Sequence, residues 1–303
     1  MSRVYEIAWT APIGDHLISY LPERGISNTL QVAEFDSADD LLLAESLFQL
    51  LQIGAVTLAF QPVQFIQGNS ASLYYEALLR QLDSEKEFAP SLGYVIQPLE
   101  RTGQIWRLDA CVLHAVIQVL QAHPDIHLGC NLSPLSLKAR PWWQAIFATL
   151  RQHPEVAKRL ILEVTEYACP HDTDDASATL RTLRELGCRV ALDDLGAGFN
   201  TLDMAWRMQP DIVKLDKSLL HGARDPLNGG HFARLVQALR PQCQYLVAEG
   251  IETEEDLRIS AGVGVHAVQG YLIGRPSLQP DWLAKPVVVG DLFSPRFDGS
   301  NVC

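Results

Sequence analysis

LILEVTE (Leu160–Glu166) and ALDDLGAGF (Ala191–Phe199) share one plan: an apolar, partly β-branched run that stops at a carboxylate. Runs this short, with no alternation of polar and apolar residues, read as strands buried on both faces. Working outward, similar runs stand at Thr57–Phe60, Leu73–Ala77, Ile126–Cys130, Leu160–Val164, Arg189–Leu192, Asp211–Leu215, Tyr245–Ala248 and Ala267–Gln269. Helical patterns lie between most of them, at Arg107–Gln121, Pro141–Gln152, Ala176–Leu186, His231–Leu239 and Glu254–Ala261. Alternation of this kind builds βαβ units and a mostly parallel sheet. Eight candidate strands fit a (β/α)8-type barrel better than an open sheet.

The polar residues at the strand ends carry the chemistry. Successive runs close on Glu76, Asn131, Glu163, Asp193 with Asp194, Lys214, Glu249 and Gln269. In a parallel barrel the strand C-termini converge on one face, so residues far apart in sequence share one cleft. Carboxylates with an amide oxygen are hard donors that suit Mg²⁺ or Mn²⁺ better than zinc. Packed together without cations they would repel and raise one another's pKa. The adjacent pair Asp193 and Asp194 suggests two ions with a bridging ligand, an arrangement suited to in-line phosphoryl displacement. Any one of these residues alone reads as a helix cap, a turn residue or a snorkelling lysine. The repetition across seven strand ends is what favours a site.

Composition removes other classes. The 303 residues carry 24 Lys and Arg against 36 Asp and Glu, a formal net charge of −12, which disfavours a nucleic-acid polymer or an anionic membrane as partner. No apolar run approaches the roughly 18 to 20 residues of a membrane span, and the first residues lack the order of a signal peptide, so a cytoplasmic protein is expected. The six cysteines, Cys111, Cys130, Cys169, Cys188, Cys243 and Cys303, form no C-x-x-C pair and read as reduced and mostly buried. Residues 1–40 break the rhythm and read as an N-terminal accessory segment, 41–279 as the barrel, and 280–303, with Pro280, Pro286, Gly290, Pro295 and Gly299, as a loosely ordered C-terminal tail.

The order AFQP, YYEALLR, CNLS, LILEVTE, ALDDLGAGF, DIVKLD, VAEGIE, VQGYLIGRP, from Leu41 to Pro276, resembles the EAL domain, named for Glu76-Ala77-Leu78. The resemblance implies a modified TIM-like barrel whose early strands depart from the all-parallel pattern. It also implies a phosphodiesterase that hydrolyses cyclic di-GMP to linear 5′-pGpG by attack of water at two Mg²⁺ or Mn²⁺ ions. Carried over residue by residue, Glu76, Asn131, Glu163, Asp193, Asp194 and Glu249 are the metal ligands. Lys214 contacts the attacking water or the second metal position, Glu249 is also a proposed general base, and Gln269 lies near the water. Gln61, Arg80, Asp216 and Glu252 hold the substrate, and Glu166 steadies the loop after Asp194. A homodimer through the barrel and an unidentified regulatory protein are the implied partners.

Two stretches depart from the family pattern. Leu195 and Ala197 stand where the family usually has Phe and Thr, in a loop thought to couple metal binding to the dimer interface. VIQPLERTG (Val95–Gly103) has its proline displaced by one position, with Glu100 kept. Two rivals compete with the enzyme: a weak or inactive EAL domain acting as a cyclic di-GMP receptor, and a barrel lyase using Lys214 as base on a carboxylate substrate. Retention of every metal ligand and of Lys214 speaks against the first, and Gln61, Arg80 and Glu252 against the second.

Overall fold

The computed structural model describes residues 37–67, 72–82, 89–138, 141–165, 174–196, 208–224 and 229–293. Each apolar run of the sequence is a strand: β1 Val56–Phe65, β2 Ser72–Gln81, β3 Leu128–Leu132, β4 Leu160–Thr165, β5 Arg189–Leu195, β6 Ile212–Leu215, β7 Tyr245–Ala248 and β8 Ala267–Val268. From β2 to β8 neighbours pair in parallel, and β1 closes the barrel by pairing antiparallel with both β2 and β8. Only residues 66–71 separate β1 from β2, too few for the crossover that parallel strands require, so this pair must be a hairpin.

Helices α1 Ser37–Gln52, α2 Ile96–Arg101, α3 Ile105–Ala122, α4 Pro141–Gln152, α5 Asp174–Glu185, α6 Lys217–Ala223, α7 Gly229–Leu239 and α8 Glu254–Val263 accompany the barrel. The strands' outward apolar residues and the helices form one buried cluster, in which Leu113, Val116 and Leu120 of α3 are fully covered. Arg159, itself buried, donates to the carbonyls of Leu120, His123, Ile126 and Glu155, tying the end of α3 to the start of β4. Helix α3 corrects the expectation that no stretch approaches a membrane span, for its 18 residues are long and apolar enough. Its apolar character is spent on the core, since 67% of it is buried.

Inside the barrel, strand alternation separates two layers. Val63, Tyr74, Ile161, Ala191, Ile212, Val247 and Ala267 belong to a buried, largely apolar lumenal plug. The residue two positions later on each parallel strand, and two positions earlier on the antiparallel β1, faces the same way one layer higher, and there the polar residues begin.

The ends differ from the sequence reading in two respects. Helix α1 starts at Ser37, within the stretch read as accessory. Residues 280–293 are not loosely ordered: β9, Val287–Val288, pairs antiparallel with β1, and Val289 and Asp291 are buried. Pro280 opens a turn, its carbonyl accepting the Leu283 N–H, ahead of that pairing. Cys111, Cys130 and Cys188 are buried free thiols and Cys243 is half-buried, while Cys169 and Cys303 lie outside the described residues.

Candidate active site

One polar residue from each strand, or from the position just beyond it, enters the upper layer of the barrel: Gln61, Glu76, Asn131, Glu163, Asp193, Lys214, Glu249 and Gln269. Gln61 and Glu76 are register partners across the hairpin, as are Asn131 and Glu163 across β3 and β4. The two oxygens of Glu76 are separately engaged: Asn131 Nδ2 donates to Oε1 at 2.7 Å and Gln269 Nε2 to Oε2 at 2.6 Å. Gln269 also donates to Gln61 Oε1 at 3.3 Å, and Gln61 Nε2 donates to the Gly274 carbonyl.

Lys214 stands at the centre, 1% exposed, with its ammonium 2.6 Å from Glu163, 2.8 Å from Glu249, 2.9 Å from Asp193 and 3.3 Å from Glu76. Burial would lower its pKa, but these four carboxylates outweigh burial and hold it well above its ordinary value. Burial pushes Glu163 and Asp193 up against the pull of Lys214. It lifts Glu249 to about 8 and Asp194 to about 6, the latter helped by the charge of Asp193. Glu76 alone ends below its usual range, because Lys214, Gln269 and Asn131 together outweigh its burial.

Successive strand residues should point to opposite faces, yet Asp193 and Asp194 both serve the site. Asp194 has φ 55°, in the left-handed region, and the β5–β6 register shifts between Leu192 and Leu195. This bulge turns the second aspartate back toward its neighbour, and Asp is among the residues that tolerate such a backbone. The result is two clusters sharing Asp193: Glu76, Glu163 and Asp193, then Asp193, Asp194 and Glu249, with ligand atoms in each within 4.8 Å of one another. Five carboxylates against one ammonium leave a formal excess of four negative charges, which two divalent cations would neutralise. Glu163 Oε1 is buried without a hydrogen-bond partner among the described residues. A hard-oxygen donor set with an orphaned buried carboxylate oxygen fits divalent metal ions.

A family model described as the EAL domain matches residues 44–276. The chain belongs to the EAL domain family. It is 28% identical over 247 residues to the bifunctional diguanylate cyclase/cyclic di-GMP phosphodiesterase MucR of Pseudomonas aeruginosa, an alignment covering 80% of this chain and 36% of MucR. To the cyclic di-GMP phosphodiesterase PdeF of Escherichia coli it is 26% identical over 265 residues, 86% of this chain and 35% of PdeF. The chain thus spans about a third of the length of these relatives. Among solved structures, the phosphodiesterase of P. aeruginosa MucR in complex with c-di-GMP superposes with a TM-score of 0.64 at 26% identity, covering 78% of this chain and 97% of that one.

Beside the ring of this EAL domain lies a cavity of about 250 Å³. Arg80, Ser91, Glu100, Asp109, Asn131 and Ser133 give it polar walls, and apolar residues of β2, α2 and α3 complete them. The Ser133 hydroxyl donates to Glu100 and its backbone N–H to Asp109, fixing the turn after Asn131. Burial pushes the Asp109 carboxyl up to about 7. Asp109 and Ser91 were not singled out in the sequence; the available signal was a carboxylate on the apolar face of an amphipathic helix. Arg80 therefore borders both cavity and ring, half-buried. Asp216 caps α6 by accepting from the Ser218 N–H, and Glu252 is exposed with its N–H held by Asp256; neither has a recorded hydrogen bond or ion pair to the ring. Glu166, Ala197 and the rest of the loop after Gly196 lie outside the described residues.

Proposed function

We propose that this chain is a metal-dependent phosphodiesterase that hydrolyses cyclic di-GMP to linear 5′-pGpG. The observation that carries the reading is the complete upper ring, with five carboxylates and Asn131 around Lys214 and Arg80 at its edge. The activities named for MucR and PdeF support it, as does the c-di-GMP complex of the MucR phosphodiesterase.

Two divalent ions, Mg²⁺ or Mn²⁺, held by Glu76, Asn131, Glu163, Asp193, Asp194 and Glu249, would supply charge stabilisation and an acidified water. The chain's own residues do the rest. Asn131 and Gln269 clamp the two oxygens of Glu76 and so fix the direction of its free lone pairs. Lys214 supplies a permanently positive charge against the phosphoryl group. Glu249 is the most solvent-accessible of Lys214's carboxylate partners, 17% exposed, and is placed to receive the proton of the attacking water. Arg80 gives a charge-assisted contact to a phosphate oxygen. The cavity is smaller than ordinary drug-sized sites, so it suits one base, with the other lying across the open mouth toward Glu252 and Asp216. The Asp109 and Glu100 carboxylates match the N–H edge of a guanine.

The same reading carries a homodimer through the barrel, a regulatory protein as partner, residues 1–40 as an accessory segment, and a cytoplasmic setting consistent with buried free thiols. The test is chromatography of cyclic di-GMP incubated with the protein and Mg²⁺ or Mn²⁺, with a chelated control. Metal-dependent linear pGpG is expected, and Glu76→Ala should abolish it while leaving dinucleotide binding. Bound but intact dinucleotide in both metals would make the protein a receptor, and loss of both turnover and binding would refute the reading.

A further inference from the structure

The lumenal plug contains one group that no hydrogen bond satisfies. Tyr74 is 1% exposed, and its hydroxyl has no partner among the described residues. It lies on β2 two residues before Glu76, so it faces the lumen directly beneath the ring. Gly129, the β3 register partner of Glu76, leaves the room the ring needs: a Cβ there would collide with Glu163 Oε1 and stand 2.6 Å from the Tyr74 ring edge. The glycine, the phenol and the orphaned carboxylate oxygen therefore share one small volume.

The geometry points to Tyr74 as a positioning residue: its hydroxyl reaches Glu163 from beneath through one buried water, and so fixes which oxygens of Glu163 face the ions. This rests on the reading of the ring as a metal centre. Outer donors of this kind orient the ligand they touch, and losing one weakens metal affinity by roughly 10–100-fold. Neither a filler of the lumen nor a residue acting only through stability would have that effect.

The test is Mn²⁺ titration of the full chain, following free Mn²⁺ by electron paramagnetic resonance, for wild type, Tyr74→Phe and Tyr75→Phe. Phe keeps the ring that fills the space beside Gly129, so the variant should fold. Tyr75, on the opposite face of β2 against Trp282, is the control. Mn²⁺ binding weakened at least about tenfold in Tyr74→Phe alone, with an unchanged metal-free Tm, is the expected result. Equal affinity in Tyr74→Phe and wild type, or equal weakening in both variants, overturns the assignment. Absence of Mn²⁺ binding in the wild type would overturn the metal-centre reading itself, a different failure.

Discussion

Replacing Lys214 by Met removes the single cation that four buried carboxylates share while keeping much of the side chain's length and volume. The contacts are 2.6, 2.8, 2.9 and 3.3 Å, and the ammonium is 1% exposed, so no water can take its place without opening the barrel. Removing one partner of a buried ion pair typically costs about 3–5 kcal/mol, because the remaining charge is stranded. At about 2–4 °C per kcal/mol for a domain near this size, the metal-free variant should melt roughly 6–20 °C below wild type at pH 8. Lower pH should shrink the gap, since the stranded carboxylates can take up protons instead. Saturating Mn²⁺ should shrink it too, because the ions replace the missing charge and a ligand at 100 times its Kd adds about 2.7 kcal/mol. Thermal melts followed by circular dichroism, in EDTA and in Mn²⁺ at pH 8 and at pH 5.5, measure all three effects. A Lys214→Met protein that melts with wild type in EDTA at pH 8 refutes the counter-ion role.

Two further outcomes follow from the charges. Folding raises the pKa of Glu249 from 4.5 to about 8 and of Asp194 from 3.8 to about 6, so their contribution is fully present below the unfolded values and is lost as pH rises through the folded ones. The metal-free Tm should therefore fall between about pH 5 and pH 8, and Mn²⁺ should flatten the trend; a Tm rising across that window contradicts the assignment. Asp256 caps α8 with Thr253, pairs bidentately with Arg224 and accepts the Glu252 N–H, and its pKa is lowered from 3.8 to about 2. Asp256→Ala should cost about 2–4 kcal/mol in urea denaturation near pH 7 and lose most of that penalty as pH falls through about 2. A wild-type urea midpoint in the variant would disprove this.

The barrel was legible because each strand announces itself twice, by an apolar β-branched run and by the polar residue that ends it. Glu163, Asp193, Lys214 and Glu249 needed only strand alternation and a shared C-terminal face. What stayed hidden depends on partners that local pattern does not contain. Asp109 reads as one polar residue in an apolar helix, and its role rests on Ser133 from another element. Gly129 and Tyr74 look like ordinary strand residues until the closed barrel sets them face to face. The left-handed backbone of Asp194 is likewise a property of the β5–β6 register shift. The tail failed for the opposite reason: Pro286 and Gly290 suggested loose chain, while Val287 and Val288 found an edge of β1 to pair with.

The first strand, being antiparallel to both neighbours, gives the barrel a seam. Nine register pairs join β1 to β2, whereas Gln64 with Val268 and Phe65 with Ala267 are the two that join it to β8. Above those two pairs the wall is held by side chains and by later chain: Gln269 to Gln61, Gln61 to Gly274, and Phe60 with Ser277. Only two register pairs join β8 to β7 as well, so brief separation of the sheet should begin at the edges of β8, the strand with the shortest ladders. Gln269, which orients Glu76, therefore doubles with Gln61 as the clasp of the cylinder. Opening it even slightly would part Glu76 from Gln269 while Asn131 still held the other oxygen of the carboxylate.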